Sequence, residues 1–582
     1  MANEHYAEFI SEAFVQPIRS VLIVDDDYPT LEELLDAQIA RRGEEPPPRS
    51  AKRWYDSPQR IKNVIDSFRR PERPLLVDIH DGANVDPGGE SRVASHLHQS
   101  DLLVLDYELD KTRPRDGGRA IEILRSLMAN DHFNLVVVHT SEDLDFVHRE
   151  IVVGLLAPSS DEMSVEETAR AAELIAERED ADEDFSPALT ASVGSDQYLH
   201  SRLRADTFMR TMGRSQQPYS DFAALADTAG WSNEDRRLVL RHLLIRVEAP
   251  LRGRMAGQTQ TIKWSQGGVR WIKSDSVFIA FSSKQQDDVL GDLETALVAW
   301  NPAPSRLFLA KLRAEMDEYG VVAQTDALSR RHALAHWYAR LLEAGGEERR
   351  WLIAESVSRH SDQLLHVIMP RVEQFATRLV AAEAAAGPAE DRIQHHFSID
   401  LAKVEAKRRA EREHNAFVCS MPPQGWHLTT GHVFAAGGDH WVCLSPACDL
   451  VPAQGEGKAA FYGNRTPFLA VKLQPVADTK KVDVNSNLFV FLTMADGVKT
   501  FCFNEHHKES NAPTWRTFYA EKRGVFSAGF SFKVSGTQSG ARRLLHVVQP
   551  ATVVAQLRYE YALNLLQRLG TSMTRIGLDF VG

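Results

Sequence analysis

Three aspartates stand side by side in "SVLIVDDD", Ser20 to Asp27, where an apolar run stops. A fourth, Asp106, closes the run "LLVL", and Thr140 closes "LVVVH". Carboxylates crowded this way repel one another and cannot all stay ionised without a cation. A hard divalent ion satisfied by oxygen ligands, Mg2+ above all, resolves the crowding. The same ion would screen a phosphoryl group approaching one of the aspartates and steady the charge on its oxygens during transfer. Metal-assisted phosphoryl transfer is therefore the chemistry these residues can do.

That chemistry requires the acids to meet, and the surrounding text supplies the means. Short apolar runs, "SVLIV", "PLLVDIH", "DLLVL" and "FNLVVVH", alternate with helical patterns such as "YPTLEELLDAQIARR" and "GGRAIEILRSLMAN". In the first of these, Leu31, Leu34, Leu35 and Ile39 recur at helical spacing. Strands alternating with helices predict a doubly wound parallel sheet covered on both faces. Ligand sites in such sheets lie outside the carboxyl ends of the strands. Asp25, Asp26, Asp106 and Thr140 each sit where a run ends, so all four can converge on one rim.

This stretch resembles the receiver domain of two-component response regulators, a flavodoxin-like α/β fold. The resemblance implies that Asp25 and Asp26 are the family's metal-binding acid pair and that Asp106 takes the phosphoryl group from a kinase histidine. It implies a Mg2+ site made of Asp25, Asp26, Asp106 and the backbone carbonyl of Glu108, whose side chain influences how fast water removes the phosphate. Thr140 matches the hydroxyl residue that contacts the phosphoryl oxygens and reorients in the switch, with Ser141 in the next position. The family also uses a lysine at the end of a fifth strand, usually followed by proline. No fifth strand is evident between Ser141 and Pro158. Much later, "SVFIAFSSKQQDDVLGDLETAL" reads as strand, lysine and helix, with Phe281 three residues before Lys284 at the spacing of the family's switch aromatic. Lys284 then completes the site, and Pro158 to roughly Asp275 is an insertion. Gln285 replaces the proline, and a surface lysine after an ordinary hairpin strand is the alternative.

The chain has 582 residues, too many for one core. The expected organisation is multidomain: a receiver at 1–157, a helical and acidic insertion at 158–275, the receiver's last strand and helix at 276–300, a helical region at 301–418, and a β-rich barrel or sandwich at 419–582. Asp161 to Asp184 holds eleven acids and two bases, the composition of a solvated helix. Gly320, Gly345 and Gly346 punctuate the helical region, "GPAED" from Gly387 is a hinge, and a charged helix spans Ser398 to His414. A last helix is expected from Val553 to Leu569. The net charge of −13 argues against general nucleic-acid binding. Four cysteines in so long a chain give no disulfide framework, and no run is apolar enough to span a membrane, so a cytoplasmic location is expected.

Other groupings are weaker. Cys443, Cys448 and Asp449 lie near His432 and His440, but the cysteine spacing is wrong for a tight zinc pair, and buried structural thiols are the simpler reading. His332 and His336 stand one helical turn apart without the glutamate of a metalloprotease. His506 and His507 look like an exposed loop. No catalytic set is evident beyond the receiver's own phosphorylation and dephosphorylation. The overall plan resembles receiver proteins of bacterial anti-phage conflict systems, and in function it is similar to the phosphate-buffering receiver of the three-component Detocs system. That implies a sensor histidine kinase as partner and a second response-regulator effector competing for the same kinase. The alternative is a receiver-gated effector whose β-rich domain is an unrecognised enzyme or nucleic-acid-binding module.

Overall fold

The structure, a computed structural model, describes residues 2–42, 58–80, 82, 100–110, 112–129, 132–203, 218–256, 261–286, 288–452, 461–479, 482–507, 512–539 and 544–574. The chain divides into two compact units, Met1–Ala314 and Glu315–Gly582.

The first unit is built on a seven-stranded sheet. Its strands are β1 (Ser20–Val24), β2 (Leu76–His80), β3 (Leu102–Leu105), β4 (Asn134–Thr140), β5 (Lys263–Trp264), β6 (Trp271–Lys273) and β7 (Val277–Ser283). They run in the order β2-β1-β3-β4-β7-β6-β5. The first five are mutually parallel, with Asn134 opposite Val277 and Thr140 opposite Ser283 where β4 meets β7. The β5–β6 hairpin then adds antiparallel to the outer edge of β7. Every residue of β3 and β4 is buried, which explains why both read as continuous apolar text rather than as an alternation.

Helices Gly118–Met128 and Leu144–Leu155 pack Ile123, Leu124, Leu127, Val147, Ile151 and Val152 into the same core as Leu103, Leu105, Val136 and Val138. That core continues into the segment between β4 and β7, where helices Val165–Glu179 and Asn233–Glu248 contribute Leu174, Ile175, Val239, Leu240 and Leu243. The acid-rich stretch thus forms a helix with one buried face and a solvated remainder. Helix Leu31–Arg42 forms as its spacing predicts, but Leu31, Leu34, Leu35 and Ile39 are exposed.

In the second unit, helices Arg331–Glu343, Gly346–Ala386, Ala389–Phe397 and Val404–Cys419 precede a β domain. Strands β8 (His432–Ala436), β9 (Asp439–Cys443), β10 (Arg465–Pro475), β13 (Trp515–Glu521), β14 (Ser531–Ser539) and β15 (Leu544–Leu557) close into a six-stranded antiparallel barrel, β9 pairing with both β8 and β10. Phe434, Trp441, Phe468, Phe518 and Phe532 fill its interior. Between β10 and β13 in sequence, β11 (Phe489–Met494) and β12 (Gly497–Cys502) form a hairpin joined to the far end of β10.

Three expectations of this region need correction. Helix Pro304–Leu328 runs through Gly320, where one glycine costs about 1 kcal/mol and does not end a helix of this length. The charged helix is Val404–Cys419, not Ser398–His414. Val553 to Leu557 belong to β15, and the last helix starts at Tyr559. The β-branched run Thr552, Val553 and Val554 suits a strand flanked by β8 and β14.

Candidate functional site

The sheet's hydrogen-bond ladder continues past the ends of its strands and places the polar residues. The backbone N–H of Asp25 donates to His80 O on β2 (3.1 Å), that of Asp106 to Val24 O on β1 (2.9 Å), and that of Lys284 to Thr140 O on β4 (2.7 Å). Each site residue is thus held by the last carbonyl of the neighbouring strand, at the carboxyl rim of the sheet. Asp25 (2% exposed), Asp106 (5%) and Thr140 (1%) are buried there. Lys284 reaches across them: its Nζ lies 2.7 Å from Asp25 Oδ2 and 2.7 Å from Asp106 Oδ2. One ammonium therefore joins the first strand to the third from the end of β7.

Burial pushes the Asp106 carboxyl up to about 7, and the Asp25 charge adds to this against the opposing pull of Lys284. Burial works the other way on the Lys284 ammonium, but Asp25 and Asp106 outweigh it and raise its pKa above the ordinary lysine value. The pocket is thus short of positive charge by its own account. Two buried carboxylates share one ammonium, while Asp26 and Asp27, next in sequence, are half-buried.

Ligand atoms of Asp25, Asp26 and Asp27 lie within 4.8 Å of one another. Among the described residues this is the one cluster of acids, histidines or cysteines close enough to hold a metal ion. An all-oxygen donor set of carboxylates fits a hard divalent cation rather than zinc. Asp106 is not in that triplet, which instead contains Asp27. The Asp27 backbone N–H donates to Asp25 Oδ1 (2.9 Å) and fixes the turn.

The rim loops complete the setting. The Glu108 N–H points at Asp106 Oδ1 at 3.4 Å, and the Glu108 carboxylate accepts from the Arg115 backbone N–H. The Arg115 side chain pairs with Glu142 at 3.2 Å, and the Glu142 N–H donates to Thr140 Oγ1 at 3.1 Å. Ser141 is exposed beside them. Phe281 is buried on β7, its ring edge-on to His148 at 5.2 Å. Gly117 follows because a Cβ there would lie 1.9 Å from the Tyr107 ring, next in sequence to Asp106.

Three residues at the site were not foreseen. Tyr28 is buried, its hydroxyl pKa raised by burial and next by the Asp25 charge, with Lys284 and Asp106 also acting on it. His139 lies buried beside Thr140, and burial depresses its ring to about 4. Arg60, in the first turn of helix Pro58–Phe68, donates to the Lys284 carbonyl. The "DDDYPT" context could have drawn attention to Tyr28. Nothing local marks Arg60 or His139, because their place depends on strand order.

The weaker groupings do not assemble. Cys443 is buried in the barrel, its thiol pushed up to about 12 by burial, whereas Cys448 is exposed. His432 is buried in the barrel wall; its Nδ1 accepts from Thr429 N–H, and its Nε2 faces Gln424 O and Gln556 Oε1 at 3.2 Å. His332, His336 and His506 are exposed. A groove of about 410 Å3 in the second unit is lined by Asn415, Asn485, Asn487, Asn564, Glu560 and Cys419. Burial raises the Cys419 thiol there, and no histidine is among the lining residues.

Comparison with known proteins agrees with the geometry of the first unit. Residues 17–185 match the family model described as the response receiver domain. The match covers β1 to β4 and helix Val165–Glu179 and ends before β7. No curated protein and no solved structure matched in the other two searches. The chain therefore carries a response receiver domain, the phosphoryl-accepting module of two-component signalling, in its N-terminal unit. Among the described residues no helix is long and apolar enough to cross a membrane.

Proposed function

We propose that Asp106 accepts a phosphoryl group from the phosphohistidine of a sensor kinase, with Mg2+ held by Asp25, Asp26 and Asp106 and by the Glu108 carbonyl. The observation that carries the reading is the Lys284 ammonium set 2.7 Å from both Asp25 and Asp106 in a buried acid pocket. A bound cation there would supply charge screening for the phosphoryl oxygens. In the transfer an Asp106 carboxylate oxygen attacks phosphorus as the P–N bond to the donor imidazole breaks. The electron pair stays on the ring nitrogen, which takes a proton from solvent. Lys284 then exchanges its contact with the Asp106 carboxylate for one with a phosphoryl oxygen. Thr140 donates its hydroxyl to another oxygen, with Ser141 beside it, and Phe281 follows Thr140 as the switch aromatic. Placement of Lys284 at the end of the parallel strand next to β4 supports its assignment as the receiver lysine, with 158–275 as an insertion.

Within the cell the protein acts as a phosphate sink in a bacterial anti-phage signalling system. It drains a sensor histidine kinase that also serves a second response-regulator effector. This part rests on the resemblance of the receiver to phosphate-buffering proteins. The test places the protein beside an active kinase and effector. Asp106→Asn should leave folding intact and raise background effector activity. If the substitution silences the output instead, the protein transmits the signal and the sink reading fails.

A further inference from the structure

The turn that presents Lys284 has no proline to stiffen it, since Gln285 follows. Its inner side is fixed by the Lys284 N–H on Thr140 O, by Gln285 N–H on Ser283 Oγ (3.2 Å) and by Gln286 N–H on Ser283 O (2.9 Å). Its outer side is gripped by two arginines from one helical segment. Arg60, in the first turn of helix Pro58–Phe68, donates through Nη2 to the Lys284 carbonyl oxygen. Arg70, just beyond the end of that helix, lies 3.0 Å from Asp288, the residue that caps helix Val289–Trp300 through Gly291 N–H. The segment is itself anchored by the buried Ile61, Val64 and Phe68. A cation in a first helical turn opposes the macrodipole, so Arg60 is poorly placed to serve its own helix.

The geometry points to Arg60 as a positioning residue for the phosphoryl-transfer site. By holding the Lys284 carbonyl, it fixes the backbone from which the Lys284 side chain spans Asp25 and Asp106, with Arg70 steadying the other end of the turn. A lysine has four rotatable bonds, and an unheld turn would add backbone freedom to them, so fewer encounters would find the ammonium in place. This inference rests on the reading of Asp106 as phosphoacceptor and Lys284 as its partner.

The test uses the full-length protein with acetyl phosphate and Mg2+ and compares initial rates of phosphorylation by intact mass. The variants are Arg60→Ala, Lys284→Ala and the double substitution, with melting temperatures measured in parallel. Arg60→Ala should slow phosphorylation about three- to tenfold, less than the full worth of a charge-assisted hydrogen bond because the contact reaches the reacting atoms only through the Lys284 backbone, with the melting temperature unchanged. The double variant should be no slower than Lys284→Ala alone, because Arg60 acts only through Lys284. The inference is overturned if Arg60→Ala runs at the wild-type rate, or if its effect multiplies undiminished onto that of Lys284→Ala. A Lys284→Ala variant phosphorylated at the wild-type rate would instead bring down the reading of the site itself.

Discussion

On the proposed reading Asp106 is the nucleophile, and its carboxyl is held where burial disfavours the charged form. Burial and the Asp25 charge favour its protonated form, while Lys284 favours the ionised form, as a bound divalent cation would, and the ionised form is the one that would attack phosphorus. Asp25→Asn should therefore weaken cation binding, since it removes a buried carboxylate from the proposed ligand set of Asp25, Asp26, Asp106 and the Glu108 carbonyl. Isothermal titration with Mg2+ should show the loss as a drop in affinity of tenfold or more, about 1.4 kcal/mol. Gly117 makes a different demand. Its missing Cβ leaves room for the Tyr107 ring, so Gly117→Ala should displace that buried ring and cost about 1–3 kcal/mol in urea unfolding of the first unit. The meeting of Asp25, Asp106 and Thr140 was legible because each ends an apolar run, and strand ends share a rim. Lys284 was legible only as a strand–lysine–helix pattern far along the chain. Tyr28 could have been noticed from its place just after the three aspartates, whereas Arg60 and His139 were not legible, since closeness across strands leaves no trace in local text.

At the scale of elements, parallel strands were readable from unbroken Val, Ile and Leu runs, and the order in which they pair was not. The segment between β4 and β7 shows why. Its helices look like an ordinary helical domain in sequence, yet their apolar faces share one core with helix Leu144–Leu155 and the sheet. Helix Asn233–Glu248 starts with a reciprocal cap, Ser232 Oγ accepting from Asp235 N–H at 3.2 Å and Asp235 Oδ2 from Ser232 N–H at 3.3 Å. Ser232→Ala should cost about 1 kcal/mol and speed amide hydrogen exchange in the first turn of that helix. The misread end of β15 has a plain cause. "TVVAQLRYEYALNLL" contains both a β-branched run and a helical period, and only the pairing partners of β15 decide where one yields to the other.

At the scale of the molecule, the two units answer acid differently. Burial depresses His139 and His148 in the first unit, and His432 in the second, to about 4. The unfolded chain takes up these protons near pH 6.5, whereas the folded chain refuses them until about pH 4. Their contribution is therefore complete above pH 6.5 and is lost as pH falls toward 4, of the order of 3 kcal/mol for each. In the first unit Asp106 offsets part of this, because its raised carboxyl binds a proton more tightly folded than unfolded from about pH 7 downward. Melting curves taken between pH 7 and 4 should show a decline for the second unit that His432→Gln reduces. An unchanged pH profile in that variant would remove His432 from the account.

The most direct measurement is the intact mass of the full-length protein after incubation with acetyl phosphate, with and without Mg2+, for wild type and Asp106→Asn. One added phosphoryl group, dependent on Mg2+ and lost in Asp106→Asn, is the predicted result. Equal labelling of the Asp106→Asn variant, or no labelling of the wild type with Mg2+ present, would contradict the claim that this acid pocket takes up phosphate on Asp106.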